Sequence, residues 1–163
     1  MSPTTNERSG LRSNAGKTIF WGGLIAGTLD ITGACVVAWL RSGVPPVRIF
    51  QSVAAGLYGP ASSTLGVKTA IVGLVLHYFI ATTWTTVYYT ASRKISFLIN
   101  QPVISGLLYG MIVYSFMNFV VIPLSMIPKR PTPPPLSGRL IGLSIIIVCI
   151  GLPIAFIVRK FSK

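Results

Sequence analysis

Three polar side chains stand inside the long apolar segments of this chain and are its best candidates for chemistry: Asp30, His77 and Asn118. Asp30 is the only acid in any predicted span, and it lies near the middle of the first one. A charge at the centre of a bilayer costs at least about 2.5–3.5 kcal/mol, so such residues are functional candidates by default. At a rise of about 1.5 Å per residue, all three lie within roughly 8 Å of the midplane and on the same side of it. This shared depth predicts an intramembrane polar cluster.

Two interpretations of the cluster are open. In the first, a carboxylic acid and an imidazole exchange a proton and form a proton or cation relay. In the second, the side chains hold neighbouring helices together through hydrogen bonds worth about 0.6 kcal/mol each. We favour the second for His77 and for Asn118, which lies about 80–120° around its helix from the glycines of its span. For Asp30 both remain open, because an amide would hold two helices equally well.

No catalytic residue, metal site or cofactor is predicted. The chain has one histidine and two acids, Glu7 and Asp30, which excludes most metal sites and two-carboxylate chemistry. No glycine-rich phosphate loop follows a strand pattern. Cys35 and Cys149 fall inside apolar segments, where we expect them to behave as small hydrophobic residues.

The elements that must position these residues are helices in a bilayer. Of the 163 residues 52% are hydrophobic and only 10% are charged, and a soluble domain of this length could not bury so much apolar surface. We predict an all-α integral membrane four-helix bundle in one domain, residues 18–158. Its spans cover residues 18–40, 69–91, 102–125 and 138–158, between a flexible polar tail (residues 1–17) and a basic C-terminal tail (residues 159–163). Tyr88 and Tyr89 before Arg93 are typical of an interfacial aromatic belt, and Pro153 predicts a kink.

The loops are not featureless. Residues 46–58 form an amphipathic pattern, with Arg48, Gln51, Ser52 and Ala55 on one side and apolar residues on the other. This predicts a short helix in the plane of the interface, with a re-entrant segment as the alternative. Residues 128–135 are rich in proline; a stiff spacer is favoured over a polyproline ligand for a partner.

Glycines four residues apart recur in three spans: Gly23 and Gly27, Gly106 and Gly110, Gly138 and Gly142. Such pairs let helices approach closely, so we predict that they are helix-packing residues and a route to a homo-dimer. The segment 23–27 also resembles 106–110, which either a parallel repeat of two helix pairs or biased composition would explain; we favour composition.

Charge predicts the surroundings and the orientation. The chain has 14 Lys and Arg residues and two acids. Because the basic residues lie at the ends of apolar segments and form no single run, we expect anionic lipid headgroups as partners and no nucleic acid. Both tails and the second loop carry eight of them, and the opposite side, which includes Arg139 at the start of the fourth span, carries six. The positive-inside rule then predicts cytoplasmic termini.

Four stretches carry a resemblance: Trp21 to Asp30, Arg48 to Ala54, Gly106 to Gly110, and Asn118 to Ser125. With them the chain resembles a family of small, uncharacterised four-span bacterial inner-membrane proteins. The resemblance covers nearly all of the chain after residue 17 and implies the bacterial cytoplasmic membrane. It implies no activity, substrate or catalytic residue.

The sequence therefore predicts a non-enzymatic accessory or assembly protein of the membrane, with no identified small-molecule substrate. The alternative is a small transporter or channel subunit that moves a proton, cation or solute with Asp30 and His77. A membrane enzyme acting on lipid or quinone is a third hypothesis, which rests on the same two residues alone.

Overall fold

The computed structural model describes residues 5–128 and 134–162, with side chains from residue 15 onward, and these residues form helices without any strand. Four helices are long and apolar enough to cross a membrane: Ala15–Ser42, Val67–Ser92, Pro102–Leu124 and Leu136–Ser162. We call them the first to fourth spans. They confirm the predicted all-α four-helix bundle and make the chain a multi-pass membrane protein.

The first helix begins earlier than predicted, at Thr5, and runs unbroken to Ser42. Residues 5–17, predicted as a flexible tail, are therefore helical. The physical reason is cooperativity: the apolar span supplies the costly nucleus, and extending it by good helix formers such as Leu11 and Ala15 costs little, even across Gly10 and Gly16. Gly43 follows the end of the helix; its φ of 62° is left-handed and its N–H donates to the Trp39 carbonyl. At the other terminus the fourth span continues to Ser162, so the described part of the basic tail is helical too.

The third and fourth spans each contain one π-helical turn. The third is built from Pro102–Phe116, the π turn Met117–Val121 and Ile122–Leu124. The fourth is built from Leu136–Ile146, the π turn Ile147–Gly151 and Leu152–Ser162. Each π turn ends two residues before a proline, Pro123 or Pro153. A proline lacks an N–H and crowds the carbonyl four residues earlier, so the helix widens at that point.

The first loop holds the helix Pro46–Tyr58, which we call the loop helix, followed by the 3₁₀ turn Gly59–Ser63. Its bounds agree with the predicted 46–58. It lies beside the second span, and a Cβ on Gly73 would overlap the Phe50 carbonyl oxygen, so the two backbones touch. A short helix, Phe97–Asn100, occupies the second loop. Most of the proline-rich segment predicted as a spacer, residues 129–133, lies outside the described residues.

The two spans of each sequential pair pack together, and the fourth span also packs on the first. The apolar core is formed by buried residues of all four spans: Ala26, Tyr88, Tyr109, Val113, Ile150, Ile154, Ala155 and Val158. Many large apolar side chains remain exposed along every span, for example Trp39, Phe79, Phe119 and Val148. Exposed apolar area of this extent needs lipid to cover it.

Candidate functional site

The seam between the first and second spans is built on three glycines. A Cβ on Gly22 would lie 2.5 Å from the Thr85 methyl group, and one on Gly23 would overlap the Thr82 hydroxyl. A Cβ on Gly27 would lie 2.9 Å from the Tyr78 ring. The two helices therefore approach so closely that only glycine fits on the first-span side. This close approach brings the polar groups of the two spans within reach of each other.

Asp30 and His77 meet in this seam. The His77 Nε2 atom lies 2.8 Å from the Gly27 carbonyl oxygen and 4.0 Å from Asp30 Oδ2. The side chain of His77 is 11% exposed and that of Asp30 is 20% exposed. A carbonyl oxygen can only accept a hydrogen bond, so Nε2 carries the hydrogen in this arrangement. We call these two residues the Asp30–His77 pair.

The two members of the pair differ in how well their polar atoms are satisfied. His77 has a hydrogen bond to the backbone of the opposite helix, whereas the Asp30 carboxylate has no hydrogen bond within the described chain and lies 4.0 Å from His77 Nε2. A neighbouring bond, between Thr28 Oγ1 and the Tyr78 hydroxyl at 2.9 Å, ties the same two spans. The carboxylate is thus free to bind a proton or to accept a hydrogen bond from a group outside the chain.

The fourth span closes the other side of this region. One turn beyond Asp30, a Cβ on Gly33 would make ordinary contacts of 3.5 Å with the Cys149 sulfur and with Ile145. Both cysteines are free thiols, and each is partly buried. Within the described residues no three His, Cys, Asp or Glu side chains are grouped closely enough to hold a metal ion.

Asn118, the third predicted member of the cluster, is not brought to the pair. It lies in the π turn of the third span with an exposed side chain, and its Nδ2 donates to the Tyr114 carbonyl of its own helix at 2.8 Å. Shared depth alone gave no information on which way the residue faces around its helix, and that angle decides contact.

Of the two glycine pairs predicted in the second half of the chain, only one lies in close contact with another span at both glycines. Gly106 and Gly110 lie against the fourth span, where a Cβ on either would come within about 3 Å of the backbone of Leu152 or Ile147. Their closest partner is Gly151, where a Cβ would overlap the Gly106 carbonyl oxygen. A Cβ on Gly142 would make an ordinary contact of 3.5 Å with the Tyr114 ring, whereas one on Gly138 would contact only Pro135 of its own turn.

These contacts place the seams of Gly23 and Gly27 and of Gly106 and Gly110 inside the monomer. A homo-dimer, which stays a prediction, would have to use another face.

Several buried polar residues were missed by sequence reasoning. Tyr88, predicted for the interfacial belt, is fully buried: its hydroxyl lies 2.9 Å from the Leu98 carbonyl and 2.8 Å from Ser105 Oγ. The Tyr109 hydroxyl donates to the Trp84 carbonyl. The sequence does not separate Tyr88 from an interfacial tyrosine, because it lies near the end of its span, where either kind of tyrosine occurs.

The burial of Gln51 was not indicated by the sequence. The pattern grouped Gln51 with Arg48, Ser52 and Ala55 on one side of the loop helix; the structure shows that Gln51 is buried there and that its Nε2 donates to the Gly66 carbonyl at 2.9 Å. The helix buries its small and amide residues, Gln51, Ala54 and Ala55, while Leu57 is exposed. Lipid surrounds this protein, so the usual rule of apolar side inward does not apply.

Comparison of the chain with family models, curated proteins and solved structures found no match. The resemblance to small bacterial inner-membrane proteins therefore stays a prediction.

Proposed function

We propose that this chain is a non-enzymatic accessory or assembly protein of the bacterial cytoplasmic membrane, with both termini in the cytoplasm. One observation carries the proposal: apart from Asp30, the interior polar side chains named above form hydrogen bonds that join elements of the described chain, and the apolar side chains of the spans face outward. Tyr88, Tyr109 and Ser105 bind backbone or side chains of neighbouring elements, whereas Phe119 is 79% exposed. Such a molecule offers its outer faces to other membrane components.

The exposed faces can be tested one span at a time in intact cells. A photoreactive phenylalanine analogue placed at Phe79, Phe119, Phe156 or Trp39 probes one face each, because these side chains are exposed on four different spans. An accessory protein is expected to give a defined protein adduct from one face and lipid adducts from the others. Only lipid adducts from all four positions would contradict an assembly role.

The orientation rests on the charge bias and needs a separate test. A reporter fused after Lys163 that is active only in the cytoplasm is expected to be active. A periplasmic readout from the same fusion would reverse the proposed orientation.

A second candidate function is favoured by the geometry of the Asp30–His77 pair. Asp30 is a carboxylate at membrane depth with no hydrogen bond within the described chain, one-fifth exposed and 4.0 Å from an imidazole nitrogen. Intramembrane acids of this kind mark proton and cation pathways in many transport proteins. We propose as the alternative that the chain binds and passes a proton or small cation at Asp30.

A pH-gradient flux assay in proteoliposomes separates the two candidates. Transport predicts flux in the wild type that Asp30→Asn abolishes and that Asn118→Ala leaves unchanged. Asn118 is the matched control, because it is polar and intramembrane but lies outside the pair. An absence of flux in the wild type, or equal flux in Asp30→Asn, would exclude the relay and leave the accessory role.

A further inference from the structure

A groove runs along the outer face of the bundle between the loop helix, the second span and the third span. Its cavity has a volume of about 570 Å³. Its walls are formed by residues of all three elements, including Leu57, Leu76, Phe79, Met117 and Val121. Phe79 is 67% exposed and Leu57 is 57% exposed, so the groove is open to the surrounding lipid.

A second cavity, of about 610 Å³, which we call the upper cavity, is lined by residues at the start of the second span and at the end of the loop helix. Lys68 and Tyr58 are among the residues that line it. Within the described chain the Lys68 ammonium group makes no ion pair and the Tyr58 hydroxyl makes no hydrogen bond. This upper cavity therefore offers one cation and one hydroxyl donor to an anionic group.

The two cavities follow one another along a single helix face. Lys68 and Val72 line the upper cavity, and Leu76 and Phe79 line the lower one. At 100° per residue these four side chains fall within about 80° of one another around the second span. From Lys68 to Phe79 the helix rises about 16 Å, the distance from the headgroup boundary to the bilayer centre. Tyr58 and Leu57, adjacent in the loop helix, continue the opposite wall.

The lower cavity has no unsatisfied polar group to offer a ligand. Its two serine hydroxyls bind carbonyls of their own turns: Ser52 donates to Ile49 at 2.7 Å, and Ser125 donates to Ile122 at 2.8 Å. The Gly56 carbonyl accepts from the Met126 N–H at 3.1 Å. A chain of methylene groups suits such a surface, and a polar ligand does not.

We propose that the groove and the upper cavity together bind one anionic phospholipid. The phosphate lies at Lys68 and Tyr58, and one acyl chain lies between the loop helix and the second and third spans. Lys68 supplies a cation at headgroup level, and the wall of the lower cavity is apolar. The rise of about 16 Å from Lys68 to Phe79 matches half the thickness of the hydrocarbon core. The proposal does not depend on the function proposed above.

Native mass spectrometry of the full chain in detergent tests it, with phosphatidylglycerol and phosphatidylcholine of identical acyl chains as the probes. The first bound lipid is expected to favour phosphatidylglycerol by about five-fold, which is the contribution of one lysine near an anionic surface. Lys68→Gln should abolish this preference. Arg41→Gln is the matched control, because it removes one positive charge from the same loop end of the spans, lines neither cavity, and should retain the preference.

A second variant blocks the acyl chain. At Gly56 a Cβ would meet only the Ser125 Cβ, at 3.9 Å, so Gly56→Leu has room to fold and places its side chain in the groove. It should weaken the first binding step of both lipids by at least about five-fold, because displacing even two methylene groups of the acyl chain from an apolar surface costs that much. If Gly56→Leu does not fold, Ser52→Leu fills the groove from an exposed position on the same wall.

Equal binding of both lipids by the wild type, or an unchanged preference in Lys68→Gln, would overturn the phosphate assignment. Unchanged binding in both groove-filling variants would overturn the acyl-chain assignment. A dimer mass that excess phosphatidylglycerol does not displace would show that a second copy covers the groove, which also overturns the proposal.

Discussion

The first and second spans form one helix pair, the third and fourth spans form another, and the two pairs use the same packing device for different purposes. In each pair, two glycines four residues apart on the first helix let the second helix approach closely. In the first pair the close approach brings Asp30 to His77. In the second pair it brings Gly151 against Gly106 and Gly110, with no acid or histidine in the pair.

The difference teaches that close packing and chemistry are separate properties of these seams. Glycine removes the side chains that would keep two backbones apart, in both pairs. What then meets across the seam depends on the neighbouring residues. In the second pair each helix widens into a π turn just before a proline, Pro123 or Pro153, whereas the first pair contains no proline within its spans.

The largest expected effect comes from placing a methyl group at the tightest contact between the two spans of a pair. In Gly151→Ala the new Cβ meets the backbone of Gly106 and Gly110, which cannot move aside, so we expect a loss of about 3 kcal/mol. In Gly27→Ala the Cβ meets the Tyr78 ring, a side chain that can shift, and the loss should be smaller. Denaturation of both variants in one detergent gives the comparison.

Gly138→Ala is the control for these two variants. Its Cβ would contact only Pro135, at 3.8 Å, so the change should be neutral or should stabilise the helix by up to about 1 kcal/mol. A loss at Gly27 as large as the loss at Gly151 would contradict the distinction between side-chain and backbone contacts.

The next effect tests whether the polar groups stabilise the first pair. His77→Ala removes the hydrogen bond to Gly27 and leaves a cavity, for an expected loss of about 2 kcal/mol, whereas His77→Gln keeps an N–H donor and should lose about half of that. In the Asp30→Asn background the penalty of His77→Ala should change by at least about 0.5 kcal/mol, because the two side chains are in contact. An unchanged penalty would show that the Asp30–His77 pair is not coupled.

A smaller loss of stability is expected where Tyr88 of the second span binds groups of the second loop and the third span. Tyr88→Phe removes hydrogen bonds to Leu98 and Ser105 at a fully buried site, so we expect a loss of about 1 kcal/mol. Tyr89→Phe changes a neighbouring tyrosine whose hydroxyl has no hydrogen bond within the described chain and should leave the thermal midpoint unchanged. Equal thermal midpoints for the two variants would contradict a stabilising role for the Tyr88 hydrogen bonds and would favour the interfacial assignment of Tyr88.

The smallest effect is expected at Asn118. Its amide binds only the Tyr114 carbonyl of its own turn, and its side chain is exposed, so Asn118→Ala should change the unfolding free energy by no more than about 0.5 kcal/mol. A loss comparable with that of His77→Ala would mean that Asn118 has a partner across a helix interface after all.

The sequence alone determined the four spans and the loop helix, because each depends on local properties. Apolar length sets a span, and Pro46 and Gly59 set the ends of the loop helix within the chain itself. The sequence also identified Asp30 and His77, since a charged or titratable residue stands out in an apolar segment whatever surrounds it.

Only the tertiary structure decided which of these residues meet. Asp30 and His77 face each other and Asn118 does not, because contact depends on how each helix is rotated, and hydropathy carries no information on that angle when lipid and protein interior are equally apolar. The same reason explains Gln51 and Tyr88. Gln51 was grouped with Arg48 on one side of the loop helix and Tyr88 was assigned to the interfacial belt, and both are buried where a carbonyl of another segment, Gly66 or Leu98, accepts a hydrogen bond from them.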